Sequence, residues 1–236
     1  MPCLRHRAFV ILSIFVLRRS FVIPPNGVPV RIIAGRFRRR KLLTSPGMTT
    51  RPITDRVKEM LFERLSGELE GSRVADVFAG TGTMGLEALS RGAVNVVFVE
   101  NDRKALELLQ QNVAALKVED ETLCWRADVF RCSFRPKGLP HLLPYRLIFF
   151  DPPFRMVPAL KPGSPLYRSL ERLARPGISA DDAVLVLRTP EDAEFEIPPP
   201  WHPDRHMQLS TMALHIYRLQ RPGDAGPDAT ESSETG

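Results

Sequence analysis

The stretch that decides the fold runs from Asp76 to Gly85 and reads DVFAGTGTMG. It follows an apolar segment of strand character, Arg73–Phe78, and it precedes an apolar segment with helical spacing, Met84–Arg91. Its glycines match the pattern G-x-G-x-x-G, in which glycine lets the backbone turn tightly and approach a ligand closely. These glycines are Gly80, Gly82 and Gly85. We therefore expect a strand–loop–helix unit that binds a nucleotide-like cofactor.

Outward from this loop, predicted strands and helices alternate along the chain. Alternation with apolar strands indicates the α/β class: a mostly parallel, Rossmann-like sheet with helices on both faces. Two closing strands, Met207–Ser210 and Ala213–Leu219, are expected to add an antiparallel strand. The other predicted strands are Arg73–Phe78, Asn95–Glu100, Thr122–Ala127, Tyr145–Phe150 and Ala183–Leu187, and the predicted helices of this part are Met84–Arg91, Arg103–Leu116 and Leu166–Ala174.

The segment before this sheet is predicted to be a small basic hairpin followed by a helix. Arg31–Ala34 and Arg38–Leu42 flank Gly35-Arg36 as the two arms. Pro52–Leu65 has helical spacing, with Thr50 or Arg51 at its cap. We expect four parts: an extension outside the fold (1–29), the hairpin and helix (30–66), the main domain (67–220) and a disordered tail (221–236). The extension has the outline of a signal peptide but no small-residue cleavage site, so secretion is the less favoured interpretation.

Composition and charge narrow the class of protein. The 236 residues are 43% apolar, which suits one domain with its own core. Three scattered cysteines exclude a disulfide framework or a zinc ribbon and favour the cytoplasm, and no apolar run of 18 residues predicts a transmembrane helix. Residues 31–60 hold nine Lys or Arg and two acidic residues, whereas residues 61–236 hold 20 basic and 25 acidic ones. This asymmetry favours a polyanionic partner, with nucleic acid as the first candidate.

Two cofactors compete for the glycine loop. Glu100 ends the next strand, where a carboxylate accepts hydrogen bonds from ribose hydroxyls, as in NAD sites. Asp76 precedes the first glycine by four residues; it would repel a pyrophosphate, but it suits the ammonium of S-adenosylmethionine, directly or through water. Asp128 follows the third strand and could accept from an adenine amino group. Two alternatives stay open: Asp76 as a residue that orients the loop, and Asp128 as an ordinary loop residue.

A second motif, Asp151-Pro152-Pro153-Phe154, follows the buried strand Leu147–Phe150. Ligands of such sheets bind beyond the carboxyl ends of the strands, so this turn should face the same cleft as the glycine loop. An exocyclic base amine is a poor nucleophile because its lone pair is delocalised into the ring. The Asp151 carboxylate and the Pro152 carbonyl can accept its two N–H bonds and orient that lone pair, while Phe154 offers a stacking face. A rigid turn without chemistry is the alternative.

Together these residues resemble the RsmD family, bacterial 16S rRNA guanine-N2 methyltransferases, over roughly residues 30–220. The motifs that carry the resemblance are RIIAG (31–35), TRPITDRVKE (50–59), the glycine loop, LEALSRGA (86–93), Glu100-Asn101-Asp102 and the DPPF turn. The resemblance implies a class I methyltransferase fold and S-adenosylmethionine as methyl donor. It also implies methylation of the N2 amine of one small-subunit guanine, of the guanine(966)-N(2) type, with an N-terminal hairpin that helps to bind RNA.

The resemblance also implies where the site residues lie. The catalytic turn would be Asp151, Pro152, Pro153 and Phe154. The cofactor residues would be Asp76, Phe78, Ala79, Gly80, Thr81, Gly82, Glu100, Asn101, Ala127 and Asp128. The RNA-binding residues would be Arg31, Arg36, Arg38, Arg39, Arg40, Lys41, Arg51, Thr54 and Arg56. We expect no metal and no membrane partner, and a monomer that acts on ribosomal RNA or on the assembling small subunit. The extension, the proline-rich stretch Pro198–Pro203 and the acidic tail depart from the family pattern.

Three other functions remain as alternatives. A DPPF turn does not identify its base, so an amino-methyltransferase acting on adenine or cytosine in DNA or RNA is the runner-up. An NAD-dependent oxidoreductase would leave the DPPF turn unexplained, and no partner for hydride transfer is evident. A non-catalytic RNA-binding module would bind RNA without methyl transfer.

Overall fold

The computed structural model describes residues 30–44, 53–209 and 211–221. The expected extension 1–29, residues Arg51 and Pro52, and the expected tail after Arg221 lie outside the described residues. None of the described helices is long and apolar enough to cross a membrane.

The described residues form one seven-stranded sheet in the order β3-β2-β1-β4-β5-β7-β6. Strands β1 to β5 are parallel, and β7 lies antiparallel between β5 and β6. This confirms the predicted fold class. The strands are β1 (Arg73–Val77), β2 (Asn95–Glu100), β3 (Thr122–Arg126), β4 (Tyr145–Phe150), β5 (Ser179–Pro190), β6 (Trp201–Leu209) and β7 (Met212–Leu219), and the helices are α1 (Asp55–Arg64), α2 (Ser66–Leu69), α3 (Thr83–Ser90), α4 (Arg103–Leu116) and α5 (Pro165–Leu173).

The predicted boundaries fail in three places. Helix α1 begins after Thr54, whose hydroxyl accepts from the Val57 amide at 3.4 Å, so the predicted cap at Thr50 or Arg51 is wrong. Strand β5 extends beyond its predicted span at both ends. Strand β6 begins at Trp201, six residues before its predicted start, because it is an edge strand that tolerates Pro203 with a register shift beside it.

Two hydrophobic clusters cover the two faces of the sheet. On one face, α1, α3 and α4 pack against apolar strand residues such as Val96 and Phe149. On the other face, α5 and the loop after β3 pack against residues such as Val97 and Ile148. The first cluster also contains Val30, Ile32 and Leu42. The N-terminal hairpin and α1 therefore share the core of the main sheet.

The predicted hairpin is present as a chain reversal with a single ladder bridge, between Arg31 and Lys41. Its turn is bound to the end of α3 instead of forming long paired arms: the amides of Arg36 and Phe37 donate to Ser90. Gly35 makes this approach possible, since a Cβ there would lie 1.8 Å from the Ser90 carbonyl oxygen and its φ is +79°. The amides of Ile32, Arg39 and Leu42 donate across the two arms, whereas the amides of the turn donate to the end of α3.

Candidate active site

The glycine loop leaves β1 at the carboxyl edge of the sheet and leads into α3. Gly82 is the N-terminal cap residue of α3 in the left-handed conformation, and a Cβ there would lie 2.4 Å from Leu109 Cδ1. A Cβ at Gly85 would lie equally close to Phe98 Cε1. Gly80 differs, because nothing lies within 4 Å of its Cβ position. Gly82 and Gly85 are thus required by packing, whereas Gly80 borders open space where a ligand can approach the backbone.

Glu100 joins the loop to the end of β2. One carboxylate oxygen, Oε2, accepts from the Gly80 amide at 2.7 Å. The other, Oε1, accepts from the amides of Asn101 at 2.8 Å and Asp102 at 2.7 Å. A carboxylate offers about four acceptor positions, so this arrangement leaves about one, on Oε2. Glu100 therefore holds the loop and keeps capacity for a hydroxyl.

Asp76 is buried, with 2% of its surface exposed, below the same loop. Its Oδ2 accepts from the Gly85 amide at 2.8 Å. Burial, together with the nearby charges of Asp151 and Glu100, raises the pKa of Asp76 to about 8, although the hydrogen bond from Gly85 acts in the opposite direction. Of the two roles left open by the sequence, the geometry favours a residue that orients the loop. Its electrostatic coupling also shows that Glu100 and Asp151 lie close to it at this edge.

Phe78 and Ala79 begin the loop, and their amides both donate to the Val99 carbonyl. Thr81 points inward: its hydroxyl oxygen is buried with no hydrogen-bond partner among the described residues, and its carbonyl accepts from Asn112. Asn101 is exposed at the end of β2. The structure thus brings Phe78 and Gly80 to the edge of the cleft, whereas Thr81 belongs to the interior.

The loop after β3 forms the neighbouring wall. The Ala127 amide donates to the Glu100 carbonyl at 3.2 Å, and Asp128 Oδ1 accepts from the Phe130 amide at 2.9 Å. Phe130 is 36% exposed and packs edge-on against Phe78, with 6.4 Å between the ring centroids. Asp128 thus has the local hydrogen bond of a loop residue, and its second oxygen remains for a ligand. Phe130 is an exposed aromatic ring at the cleft that the sequence reasoning missed.

One arginine fixes this loop from behind. Arg172 of α5 donates to the carbonyls of Val129 at 2.9 Å, Phe130 at 3.0 Å and Cys132 at 2.9 Å. Because a guanidinium offers several donors in one plane, a single side chain can satisfy three carbonyls of an irregular segment. No sequence pattern indicates this contact, since more than forty residues separate Arg172 from the Val129 carbonyl that it binds.

The DPPF turn closes the cleft on the β4 side. The Asp151 amide donates to the Val77 carbonyl at 3.2 Å, which places the turn directly beside the start of the glycine loop. Pro152 is buried, and its carbonyl has no donor among the described residues. Phe154 begins a 3-10 turn, Phe154–Ala159, and is partly exposed. The predicted meeting of the two motifs at one edge is therefore observed.

The Asp151 carboxylate is bound by an arginine that the sequence analysis does not single out. Arg188 donates from Nε to Oδ1 at 2.8 Å and from Nη2 to Oδ2 at 2.7 Å. Its guanidinium carbon lies 5.3 Å from the centroid of the Phe154 ring. The predicted β5 ends at Leu187, just before this arginine; an arginine directly after a run of buried apolar strand residues is the signal that could have found it.

The segment before α1 reaches this part of the cleft. Ile53 and Met84 line a small cavity together with Asp151 and Arg188. Thr54 and Arg56 follow Ile53 and are exposed. The placement of Thr54 and Arg56 at the mouth of the cleft stays a prediction, and Arg51 lies outside the described residues.

The basic residues of the hairpin lie at the opposite, amino edge of the sheet. The Arg40 guanidinium donates to the Ala115 carbonyl at the end of α4, and Arg36 pairs with Glu121 before β3. Arg31 pairs with Asp55 at 2.8 Å. Arg38 and Arg39 are exposed, with no side-chain partner among the described residues, and Lys41 is exposed beside them. Arg36 and Arg40 thus lie near the end of α3 that is away from the glycine loop, whereas Arg31 lies closer to the start of α1.

A buried cluster around Glu87 of α3 holds this hairpin in place. The Glu87 carboxylate accepts from the amides of Ile33 at 2.8 Å and Ala34 at 3.1 Å and from Arg91 Nε at 2.8 Å. Lys58 Nζ lies 3.5 Å from it and donates to the Arg31 carbonyl. Both Glu87 and Lys58 are fully buried, and burial lowers the pKa of Lys58 despite the carboxylate beside it. The cluster joins residues of the RIIAG, TRPITDRVKE and LEALSRGA stretches.

Comparison with known proteins places this arrangement in a family. A model of the family described as "Conserved hypothetical protein 95" matches residues 30–218. Ribosomal RNA small subunit methyltransferase D of Escherichia coli (strain K12) is 34% identical over 203 residues, which cover 84% of this chain and 94% of that protein. The protein of the same name from Haemophilus influenzae is 35% identical over 197 residues, covering 80% of this chain and 92% of that protein.

Solved structures agree with the sequence matches. A putative methyltransferase, yhhF, from Escherichia coli superposes with a TM-score of 0.67 at 30% identity, covering 83% of this chain and all of that one. An RNA methyltransferase from Salinibacter ruber in complex with S-adenosyl-L-homocysteine has a TM-score of 0.53 at 15% identity, covering 76% of this chain and all of that one, and supports the fold alone. With its family match across residues 30–218, this chain belongs to the RsmD family, as the motifs predicted.

Proposed function

We propose that this protein methylates the exocyclic N2 amine of a guanine in small-subunit ribosomal RNA, of the guanine(966)-N(2) type. The coarser statement follows from the family: the chain is an RsmD-type small-subunit rRNA methyltransferase that uses S-adenosylmethionine. The observation that supports methylation of an exocyclic amine is the DPPF turn, whose Asp151 amide binds the Val77 carbonyl beside the glycine loop at one edge of the sheet. The choice of the guanine N2 amine comes from the resemblance to the RsmD family. The Asp151 carboxylate and the Pro152 carbonyl are two hydrogen-bond acceptors, which match the two N–H donors of an exocyclic amine.

The residues present fit S-adenosylmethionine. Bound there, it would supply a methyl group made electrophilic by a sulfonium. Gly80 borders open space for close approach, and Glu100 keeps an acceptor position for a ribose hydroxyl. On the neighbouring wall, the second carboxylate oxygen of Asp128 can accept from an adenine amino group and the exposed Phe130 ring offers an apolar face. The Glu100 and Asp128 carboxylates beside the loop favour a cationic ligand over a pyrophosphate, so the NAD alternative is not favoured.

The DPPF turn would act on the target amine by orientation. The lone pair of a guanine N2 amine is delocalised, which makes the nitrogen planar and weakly nucleophilic. Asp151 and the Pro152 carbonyl would accept the two N–H bonds and direct the lone pair toward the methyl carbon. Phe154 would stack on the base once it has left its helix or loop. These roles need no proton transfer to a protein group in the rate-determining step.

RNA would be held by two separate surfaces. Thr54 and Arg56, together with Arg51, would contact RNA at the mouth of the cleft, near the target nucleotide. Arg38, Arg39 and Lys41 would contact phosphates from the hairpin, whose turn is bound to the end of α3. The hairpin would therefore contribute affinity and orientation through the phosphate backbone, and the choice of base would rest with the cleft. We propose a monomer in the cytoplasm that acts on rRNA or on the assembling subunit.

A methyl-transfer assay tests this function. The protein is incubated with labelled S-adenosylmethionine and with small ribosomal subunits from cells that lack the modification, and the product nucleotide is identified after digestion. We expect one N2-methylguanine per subunit. Methylated adenine or cytosine would instead favour the runner-up amino-methyltransferase, and RNA binding without any methyl transfer would identify a non-catalytic module.

A further inference from the structure

Arg188 contacts both chemically distinct parts of the DPPF turn. Its guanidinium forms two parallel hydrogen bonds with the Asp151 carboxylate, at 2.8 and 2.7 Å, and lies over the ring of Phe154. The Arg188 side chain is 7% exposed, and that of Asp151 is 24% exposed. The arginine thus lies behind the turn, and the carboxylate lies between it and the cleft.

The position of this guanidinium is set by the sheet. Arg188 is paired with Leu214 in the ladder between β5 and β7, so its Cα belongs to an interior strand. Its surroundings at the small cavity are mostly apolar and include Phe149, Val186 and Leu214. A buried charge in such surroundings is costly unless it is paired and hydrogen-bonded. Bidentate pairing adds a fixed orientation to the attraction, which a single hydrogen bond does not.

We propose that Arg188 is a positioning residue of the methyl transfer: it holds the Asp151 carboxylate in the orientation that accepts the target amine. The inference rests on the proposed function and assigns a role that the family motifs do not name. Each carboxylate oxygen gives one acceptor position to Arg188 and keeps another. The remaining positions are those that the partly exposed side chain can offer to the cleft.

The chemical step defines what this positioning must achieve. The amine lone pair forms a bond to the methyl carbon as the bond from that carbon to sulfur breaks, with its electron pair going to sulfur. The methylated nitrogen then loses one proton to water. Asp151 begins and ends this sequence as a carboxylate, so its contribution depends on where its lone pairs point. Without Arg188, the carboxylate would have no fixed partner and would turn toward water.

The charge of Arg188 has a second effect at this edge. Asp76, Glu100 and Asp151 interact electrostatically there, and Arg188 is the basic group that touches one of them among the described residues. With its charge offset, Asp151 can act as an acceptor without repelling the Glu100 carboxylate. The neutral side chain of an Asp151→Asn variant would retain a carbonyl acceptor but would need no cation. This difference makes the proposal testable by a double-mutant cycle.

The experiment measures single-turnover methyl transfer to undermethylated small subunits, with binding of S-adenosylmethionine and of RNA measured separately. The variants are Arg188→Lys, Arg188→Met, Asp151→Asn and the double variant Asp151→Asn with Arg188→Met. We expect Arg188→Lys to lower the rate by about tenfold and Arg188→Met by about a hundredfold, with both dissociation constants nearly unchanged. In the Asp151→Asn background, Arg188→Met should lower the single-turnover rate by less than about threefold, because the neutral Asn side chain has no charge for Arg188 to offset.

Arg218→Lys is the matched control. Arg218 lies on β7 and pairs with Glu68 at 2.9 Å, far along the strand from the cleft, so its rate should equal that of the parent protein. Equal rates for the parent, Arg188→Lys and Arg188→Met would overturn the inference. An equal cost of Arg188→Met in the parent protein and in the Asp151→Asn variant would do so as well, and this comparison stands even if the Met variants are less stable. Absence of methyl transfer by the parent protein would instead refute the proposed function.

Discussion

Glu87 and Asp151 are both carboxylates bound by an arginine, and they differ in how many hydrogen-bond acceptor positions they keep free. Glu87 is fully buried, and its oxygens are used by two hairpin amides, Arg91 and Lys58. Asp151 is partly exposed, and its described side-chain partner is Arg188 alone. A carboxylate whose acceptor positions are all used inside the protein can only hold structure. One that keeps free positions toward a cleft can also bind a substrate.

The largest expected effect is on the stability of the fold, at Glu87, whose acceptor positions are all used inside the protein. Glu87→Ala should lower the free energy of unfolding by about 3–5 kcal/mol, because it leaves Lys58 buried without its counter-charge and two amides without acceptors. Chemical denaturation measures this. The control is Glu107→Ala, which breaks the exposed Arg103–Glu107 pair and should cost less than about 0.5 kcal/mol. Similar small losses in both variants would mean that the cluster does not hold the hairpin.

The second-largest expected effect is on the rate of methyl transfer, at Asp151, the carboxylate that keeps free acceptor positions. Asp151→Ala should lower single-turnover methyl transfer by about a hundredfold or more, while the fold, cofactor affinity and most RNA affinity remain. Phe154→Leu is the milder companion, since it removes stacking worth about 1–3 kcal/mol per base but keeps the acceptors. A near-parental rate for Asp151→Ala would make the turn a scaffold only and would remove the contrast with Glu87.

Glu100 lies between these two extremes, since it holds three amides and keeps about one acceptor position. Glu100→Ala should weaken S-adenosylmethionine binding by about 1.5–3 kcal/mol, the worth of a charge-assisted hydrogen bond. Isothermal titration calorimetry measures the affinity. Asp102→Asn keeps the cap of α4 and serves as the control, with unchanged affinity. An unaltered affinity in Glu100→Ala would show that Glu100 acts only on the loop.

Asp76 is, after Glu87, the second buried carboxylate among the described residues, and unlike Glu87 it has no basic side chain among its described hydrogen-bond partners. Its pKa is about 8 in the folded protein against an ordinary 3.8, so between these values the folded state binds more protons than the unfolded state. The stability that this group contributes is therefore lost as the pH rises through this range, by about 1.4 kcal/mol per pH unit. Asp76→Asn, which can still accept from Gly85, should flatten that part of the curve. A parental slope in the variant, from denaturation between about pH 5 and 8, would assign the dependence to other groups.

The smallest expected effect is on RNA binding by the exposed arginines of the hairpin, which the Glu87 cluster holds in place. Arg38→Gln with Arg39→Gln should lower the salt dependence of RNA binding by about 0.7–0.9 in slope per lost phosphate contact, without changing cofactor affinity. The matched pair is Arg36→Gln with Arg40→Gln, whose guanidinium groups already bind Glu121 and Ala115. It should change the slope less. The same slope in both pairs and in the parent protein would make the hairpin an ordinary solvated surface.

The cleft could be predicted from the sequence because each of its main segments is a short, contiguous stretch of chain. The glycine loop and the DPPF turn each follow a strand, and parallel strands bring such segments to one edge. What could not be predicted depends on side chains that are distant in sequence. Arg188 meets Asp151 across β4 and β5, and Arg172 reaches back to the loop of Phe130. The cap of α1 was misplaced because several hydroxyl residues precede the helix and the pattern alone does not choose Thr54 among them.

Contacts between residues that are distant in sequence also explain why the shape of the hairpin was not predicted. Its sequence predicted two paired arms, but the bonds that decide its shape are made with Glu87 and Ser90 of α3. No local pattern reports that a carboxylate more than fifty residues away will accept the amides of Ile33 and Ala34. The basic composition of the hairpin was evident, whereas its position at the end of α3 required the structure.

The place of β7 has a consequence for the order in which the molecule can be completed. It is the last strand of the described chain, yet it is inserted between β5 and β6 and pairs with both. During synthesis from the N-terminus, the apolar edge of β5 stays unpaired until residues 212–219 have emerged. Unpaired edges of this kind join readily to other chains. The ladder that carries Arg188 therefore closes only after residues 212–219 have been synthesised, and a chain cut before Met212 would leave an unpaired, aggregation-prone edge beside an incomplete active site.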